Sequence, residues 1–136
     1  MGIAERRATK EFQDKSLPAL LTEIRKYAGF EVAVDVTWDQ LAKEGCAERY
    51  TENWKKVYFQ PTIEALKSIA RDEMGKDALK SGLKKISFCN SSGRYSAESA
   101  VSFNAGELVI DHDPDCNVDY IQDRTDTVRK EMERAL

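Results

Sequence analysis

The sequence predicts an α+β domain in which an antiparallel sheet of about four strands has helices packed mainly on one face. Between residues 60 and 82, Ile63, Leu66 and Ile69 recur at helical spacing. Near Lys85 the period changes, and apolar residues then alternate with polar ones as they do in strands. An earlier alternating segment precedes the helices, so the expected order is α-β-α-αα-β-β-β-α.

The first two predicted helices differ in how strongly they should attach to the core. Residues 1–15 are rich in charged side chains, and Ala4, Ala8 and Phe12 form one thin apolar face at four-residue spacing, so we expect a loosely attached helix. A second helix begins after Ser16, tolerates Pro18 in its first turn and ends at Gly29. Its wide apolar face should dock on the core.

Residues 30–38 give the clearest strand signal in the chain. Apolar side chains occupy every second position: Phe30, Val32, Val34, Val36 and Trp38. A helix is then predicted from the N-cap Asp39 to about Lys56, with Gly45 weakening its middle. Pro61 should start the central helix pair as a first-turn proline, and this pair should break at Met74-Gly75.

Three further strands are predicted at residues 85–90, 100–103 and 107–112. The last two should pair across residues 104–106, where Asn and Gly adopt positive φ at low cost. Asn117 is expected to cap the closing helix. If the first strand joins this sheet, one uncovered face would carry polar side chains: Asp35, Thr37, Ser87, Cys89, Ser102, Glu107 and Asp111.

Length and composition favour one soluble domain spanning residues 1–136. The chain is 41% hydrophobic and 33% charged, and no apolar run approaches the ~18 residues of a membrane span. The start of the chain lacks the apolar run of a signal peptide, and Arg6 stands where a myristoylation signal requires Ser or Thr. We therefore expect an unanchored cytoplasmic protein.

Charge and cysteine content narrow the expected partners. A net charge of -3 argues against nucleic acid and anionic lipid, and is compatible with a basic protein partner. Cys46, Cys89 and Cys116 are widely spaced, which favours reduced thiols over a disulfide framework or a zinc knuckle. Phosphate loops and metalloprotease motifs do not occur, and we expect no cofactor.

The segment 111–119 has oxygen-bearing side chains at alternate positions, as calcium loops do. Asp111, Asp113 and Asp115 are therefore weak candidate metal ligands. The segment has neither the glycine at the sixth position nor the glutamate at the twelfth that such loops use. Turn and capping chemistry explains the same composition more simply.

A small enzyme or small-ligand binder is the alternative interpretation, with a pocket near Asp111, His112 and Cys116. Cys116 precedes the start of the last helix, where the positive end of the dipole would lower a thiol pKa. No oxyanion-forming glycine turn follows it, so an ordinary surface or semi-buried cysteine is favoured. An acid pair of Asp35 with Asp111 is likewise less favoured than two solvated carboxylates.

The segment 50–59 interleaves aromatic and basic residues. Tyr50 and Trp54 share a helical face, which favours the core over base stacking. A protein-binding patch that includes Tyr58 is a third interpretation, between the core and base stacking, because Trp and Tyr anchor interfaces. The candidate binding residues are thus Asp35, Asp111, Tyr50, Trp54 and Tyr58.

No catalytic constellation is favoured over its structural alternative, and the sequence therefore favours binding over catalysis. We expect a small cytoplasmic binding module that contacts another protein, such as an immunity-type inhibitor or an adaptor. The contact would use the polar sheet face or the segment 50–59.

Overall fold

The computed structural model describes residues 1–136, which form helices and one open sheet. The strands are β1 (Ala33–Val36), β2 (Lys85–Cys89), β3 (Val101–Asn104) and β4 (Glu107–Asp111). The helices are α1 (Ile3–Lys15), α2 (Leu17–Ala28), α3 (Trp38–Leu41), α4 (Tyr50–Trp54), α5 (Gln60–Ile69), α6 (Glu73–Gly82), α7 (Ala97–Ala100) and α8 (Ile121–Ala135). None of the helices combines the length and apolar character that a membrane span requires.

The sheet is mixed, and the prediction of an antiparallel sheet was wrong. Its strand order is β1-β2-β4-β3, with β1 and β4 both parallel to β2 and only β3 antiparallel to β4. Alternating burial identifies the faces of a strand but not its direction. The connection of residues 90–100 carries the chain to the sheet edge, and β4 then returns between β2 and β3.

One face of the sheet is covered and the other is open. The covered face has two apolar rows across the strands: Val34, Ile86, Leu108 and Phe103, then Val36, Phe88, Ile110 and Val101. On β2, β3 and β4 all of these side chains are buried, whereas no strand residue on the opposite face is. The helices therefore lie over one face of the sheet.

The helix predicted from Asp39 to Lys56 is interrupted. α3 ends at Leu41, and Gly45 then adopts φ +80°, a conformation that a regular helix excludes. A 3-10 turn, Ala47–Arg49, leads into α4. The glycine expected to weaken the helix therefore marks its break.

Pro61 lies in the first turn of α5, as predicted, but α5 does not begin a separate helix. α4, a π-helical turn (Lys55–Phe59) and α5 follow one another without a break. In a regular α-helix the proline ring would clash with the carbonyl of Val57, and the wider π turn lies where that clash would occur. Helical periodicity predicts this helix, but it does not reveal the irregular turn.

Two helix boundaries also differ from expectation. The central pair breaks before Glu73, because the side chain of Asp72 accepts a hydrogen bond from the Gly75 amide at 2.8 Å and caps α6. The closing helix begins at Ile121. Asn117 adopts φ +50° in the preceding loop and is not its cap.

An aromatic cluster joins the N-terminal helix to the rest of the core. Phe12 of α1 is fully buried, with ring centroids 5.1 Å from Trp54 and 5.9 Å from Trp38. Phe59 continues the cluster to Phe88 on the sheet, with ring centroids 4.9 Å apart. The helix that we expected to be loosely attached thus contributes a central core residue.

Candidate functional site

The aromatic side chains of the segment 50–59 belong to the core. Tyr50 is 2% exposed, and Trp54 and Tyr58 are fully buried. The Tyr58 hydroxyl donates to the His112 carbonyl at 2.5 Å, and the Trp54 indole donates to the Leu41 carbonyl at 3.2 Å. These rings present no surface to a partner, so they are not part of the candidate site.

The acidic segment 111–119 is fixed in place by basic side chains from other parts of the chain. The pairs are Asp111 with Arg94, Asp113 with Lys43, Asp115 with Arg49 and Asp119 with Lys56, at 2.5, 3.2, 3.0 and 2.8 Å. Each carboxylate therefore has its own cation. The weak candidate ligands do not converge, and no group of three or more His, Cys, Asp or Glu side chains is arranged to hold a metal ion.

Asp111 is held by several donors at once. It accepts hydrogen bonds from the Ser91 amide, the Ser91 hydroxyl and the Arg94 guanidinium. Partial burial acts to raise the pKa of Asp111, but these donors outweigh it and hold the pKa below its ordinary value. Its charge is thus satisfied within the protein.

His112 and Cys116 do not form a reactive pair at a pocket. His112 is fully buried, its Nδ1 lies 2.6 Å from the Asp113 carbonyl oxygen, and burial lowers its pKa. Partial burial, followed by the charge of Asp113, raises the pKa of Cys116. The four main surface concavities are lined by other residues, so the pocket expected near Asp111, His112 and Cys116 is not one of them.

The uncovered side of the sheet is the first candidate surface, and we call it the open face. Its members are Ala33, Asp35, Lys85, Ser87, Cys89, Ser102, Asn104, Glu107, Val109 and Asp111. Lys85 Nζ lies 3.6 Å from Asp35 Oδ2, and the Ser87 hydroxyl donates to Glu107 at 2.6 Å. The six strand residues that the sequence predicted for an uncovered face all lie here, and Thr37 follows directly after β1.

A cleft of about 520 Å³ is the second candidate, and we call it the Tyr95–Tyr120 cleft. Its lining residues are Tyr95, Ser96, Ala97, Glu98, Asn117, Tyr120, Asp123, Arg124, Asp126, Thr127 and Lys130. One side of the cleft is the loop after β2 with the start of α7, and the other is the loop after β4 with the first part of α8. These strands are parallel, so both loops follow carboxyl ends at one edge of the sheet, where open α/β sheets commonly bind ligands.

Hydrogen bonds fix the two loops of the cleft relative to each other. The Asn117 side-chain amide donates to the Tyr95 carbonyl at 2.6 Å, and the Asp113 amide donates to the Arg94 carbonyl at 2.7 Å. The cleft is therefore preformed. Sequence reasoning missed it because Tyr95 and Tyr120 lie outside the periodic segments, and their proximity depends on the strand order.

Arg124 of α8 is a buried cation beside this cleft. It is 1% exposed and donates through Nη1 and Nη2 to the carbonyls of Asn117, Val118 and Lys56, at 2.8, 2.6 and 3.2 Å. Its Nε has no hydrogen-bond partner, and no carboxylate forms an ion pair with it. Burial lowers the pKa of Arg124 to about 10.

No family model matches the chain, and no match was found among curated proteins or solved structures. Proteins of one fold class have many different functions, so the two surfaces are the features of this chain that indicate its function. The open face is broad and polar, whereas the Tyr95–Tyr120 cleft is concave. The two surfaces suit ligands of different size.

Proposed function

We propose that this chain is a small cytoplasmic binding module that contacts another protein through the open face, as an immunity-type inhibitor or an adaptor would. The observation that supports the proposal is a sheet covered by helices on one side only. A sheet face that no helix covers offers a partner a rigid, extended surface. The three free thiols are consistent with a reducing compartment.

The charges of the open face favour a basic partner. Asp35 is 67% exposed, and its one cation, Lys85, lies at the long distance of 3.6 Å. Glu107 forms no ion pair and accepts only the Ser87 hydroxyl bond. Both carboxylates are therefore available to cations of a partner, and the net charge of -3 adds long-range attraction.

The arrangement of side chains on the open face supports a protein contact. Val109 lies between Ser87 and Ser102 across the strands. These small side chains allow close approach, and the charged residues stand around them. A less polar centre within a polar rim is the usual arrangement of an interface.

The alternative function, a small enzyme or ligand binder with a pocket near Asp111, His112 and Cys116, receives less support. Asp111 is engaged in internal hydrogen bonds and an ion pair, His112 is buried and Cys116 is half-buried. The four main surface concavities are lined by other residues. The open face does not depend on any of them except Asp111.

Val109→Arg tests the proposal, because it places a long cation at the centre of the open face. Thr51→Arg, on the exposed side of α4, is the matched control with the same charge change. A partner cross-linked and co-purified from the native host would be identified by mass spectrometry, prepared in pure form and titrated calorimetrically against each variant. Circular dichroism would first establish that both variants are folded.

We expect Val109→Arg to weaken binding by at least about tenfold, and Thr51→Arg to bind as the unmodified chain does. The affinity of the unmodified chain should also fall as salt is raised. Unchanged affinity in Val109→Arg would refute the open face as the contact surface.

A further inference from the structure

We propose that the outer edge of β1 binds an extended segment of a partner protein, in which basic residues alternate with apolar ones, as an added strand of the sheet. This inference rests on the proposed function, because it names the segment by which a basic partner would attach. The surface is the main-chain edge of the sheet, and the open face lies beside it.

The hydrogen bonds of β1 leave one of its two edges unpaired. β1 pairs only with β2, and the Thr37 amide continues that ladder by donating to the Phe88 carbonyl at 3.0 Å. Main-chain groups of successive residues point to opposite edges of a strand, so Val34 and Val36 direct theirs away from β2. No other main-chain group bonds to the amides or carbonyls of these two valines.

The outer edge of β1 is open over this stretch. β2 is the only helix or strand that packs extensively on β1. Just before the strand, the Val32 carbonyl accepts a hydrogen bond from Arg25 Nε at 3.3 Å, and just after it the chain enters α3. Between these points the edge has no proline, lysine or bulge, which are common devices for protecting a strand edge from pairing.

The apolar layer of the covered face extends to this edge without full cover. Val34 and Val36 are half-buried, whereas Val101 and Phe103 of β3, on which α8 packs, are buried. An added strand with an apolar residue at every second position would lie beside the two valines and remove more of their surface from water. The apolar positions of the proposed segment follow from this arrangement.

The charge at the same strand selects basic residues for the other positions. On the open face, the side chain of Asp35 is 67% exposed, and that of Glu31, two residues before the strand, is 87% exposed. Their own cations, Lys85 and Arg25, lie at the long distances of 3.6 and 3.5 Å. A lysine or arginine of the added strand would lie opposite Asp35, and cross-strand pairs of opposite charge stabilise a sheet.

The same carboxylate opposes a second copy of this chain at the edge. Antiparallel pairing of two β1 strands through both valines would set Val34 of each copy opposite Val36 of the other. It would also bring the two Asp35 carboxylates together, and like charges directly opposite each other are destabilising. The edge therefore favours a different, basic chain over self-association.

Amide hydrogen exchange, followed by NMR, tests the edge in the free chain. The protection factors of the Val34 and Val36 amides should be at least about tenfold lower than those of Asp35 and Thr37, whose amides donate to β2. Equal protection of all four amides would overturn the proposal, since it would mean that the outer edge is already covered.

Three capped hexapeptides then represent the partner segment. The first alternates lysine and valine, the second alternates glutamate and valine, and the third has three lysines followed by three valines. We expect the first to bind at millimolar concentration and to protect the Val34 and Val36 amides. The other two should bind at least about tenfold more weakly. Absence of binding by the first peptide, binding without protection of these amides, or equal binding of the second or third peptide would overturn the proposal.

A charge reversal connects the peptide preference to one side chain. Asp35→Lys should bind the glutamate–valine peptide more tightly than the lysine–valine peptide, whereas Asp77→Lys, at an exposed position of α6, is the matched control and should keep the original order. An unreversed preference in folded Asp35→Lys would overturn the proposal. If that variant does not fold, Asp35→Asn should narrow the difference between the two peptides by at least about threefold, and an unaltered difference would be the contrary result.

The outcomes separate this inference from the proposed function. Val109 lies on β4, two strands away from the outer edge of β1, so Val109→Arg should leave peptide binding nearly unchanged. If no peptide binds but Val109→Arg weakens binding of the protein partner, the open face stands and the edge is refuted. If the lysine–valine peptide binds as expected but Val109→Arg does not affect the protein partner, the edge stands and the open face is refuted.

Discussion

Arg49 and Asp115 form a two-point ion pair, with Nε 3.1 Å from Oδ1 and Nη2 3.0 Å from Oδ2. Asn53 donates a third hydrogen bond to the same carboxylate at 2.7 Å. The three residues join the helical segment before the π turn to the loop after β4. That loop forms one wall of the Tyr95–Tyr120 cleft, so the ion pair helps to position the cleft.

Asp115→Asn should therefore destabilise the fold at neutral pH. The Arg49 hydrogen bond, opposed by partial burial and helped by Asn53, lowers the pKa of Asp115. A lowered pKa gives stability that is present above the unfolded value of about 3.9 and is lost as pH falls through the folded value. Urea unfolding should show the variant to be less stable at pH 7, with the difference narrowing below pH 4. A difference that does not depend on pH would contradict this linkage.

His112 should make stability sensitive to pH between about 7 and 5. Burial lowers its pKa, so the unfolded chain takes up a proton that the folded chain resists, and stability falls as pH drops below the ordinary value of about 6.5. One such group gives a slope of at most about 1.4 kcal/mol per pH unit. Because this is the only histidine, His112→Gln should flatten the curve in that window. An unaltered slope in unfolding titrations would contradict the assignment.

Tyr58→Phe should destabilise the protein by about 1–3 kcal/mol, since it leaves the buried His112 carbonyl without its donor. The pKa of Tyr58 is raised well above its ordinary value by burial, so the hydroxyl remains a donor at all physiological pH values. Tyr95→Phe removes an exposed hydroxyl and should change stability little. Chemical denaturation of both variants provides the comparison, and equal midpoints would contradict the role assigned to Tyr58.

The turn between β3 and β4 should respond in opposite directions to two substitutions. Ala105 and Gly106 adopt φ +52° and +83°, so the positive φ predicted for Asn104 occurs one residue later. Ala105→Asn should stabilise by about 1 kcal/mol or less, because Asn tolerates this conformation better than Ala.

Gly106→Ala should destabilise by about 1–3 kcal/mol, since a Cβ would stand 2.4 Å from Lys84 Cγ and 2.8 Å from the Gly82 carbonyl oxygen. Thermal unfolding of both turn variants against the unmodified chain provides the measurement. A stabilising Gly106→Ala would contradict the turn geometry.

Sequence reasoning located β2, β3 and β4 to within about one residue because burial alternates along them. The first strand was predicted at residues 30–38, but β1 spans only Ala33–Val36 and Trp38 begins α3. The short helix α7 between β2 and β3 was not predicted, so the order of the elements also differs.

Ile86 and Phe88 of β2, like Leu108 and Ile110 of β4, mark the covered face, and the same alternation places polar residues on the open face. Strand direction was not predictable from this pattern. It depends on which strands become neighbours and on whether the connection is a hairpin or a crossover, and side-chain period carries no information about either.

The functional surfaces were predictable only in part. The open face followed from alternation, with Asp35 and Asp111 among its members. The spacing of the aromatic residues in the segment 50–59 favours the core, where Trp54 lies, and the rings proposed for a binding patch are buried. The Tyr95–Tyr120 cleft joins two loops that are distant in sequence and adjacent only because β4 follows β2 in the sheet. No local signal in the chain reports such a long-range contact.

The position of β4 between β2 and β3 also affects how the protein folds. The strand that bridges β2 and β3 is the last of the four to leave the ribosome. Until residues 107–111 emerge, β3 has no neighbour and β2 has an unpaired edge, so the native sheet forms only after most of the chain has been synthesised. Such late, long-range closure is expected to give slow folding and leaves the nascent edge of β2 exposed to aggregation.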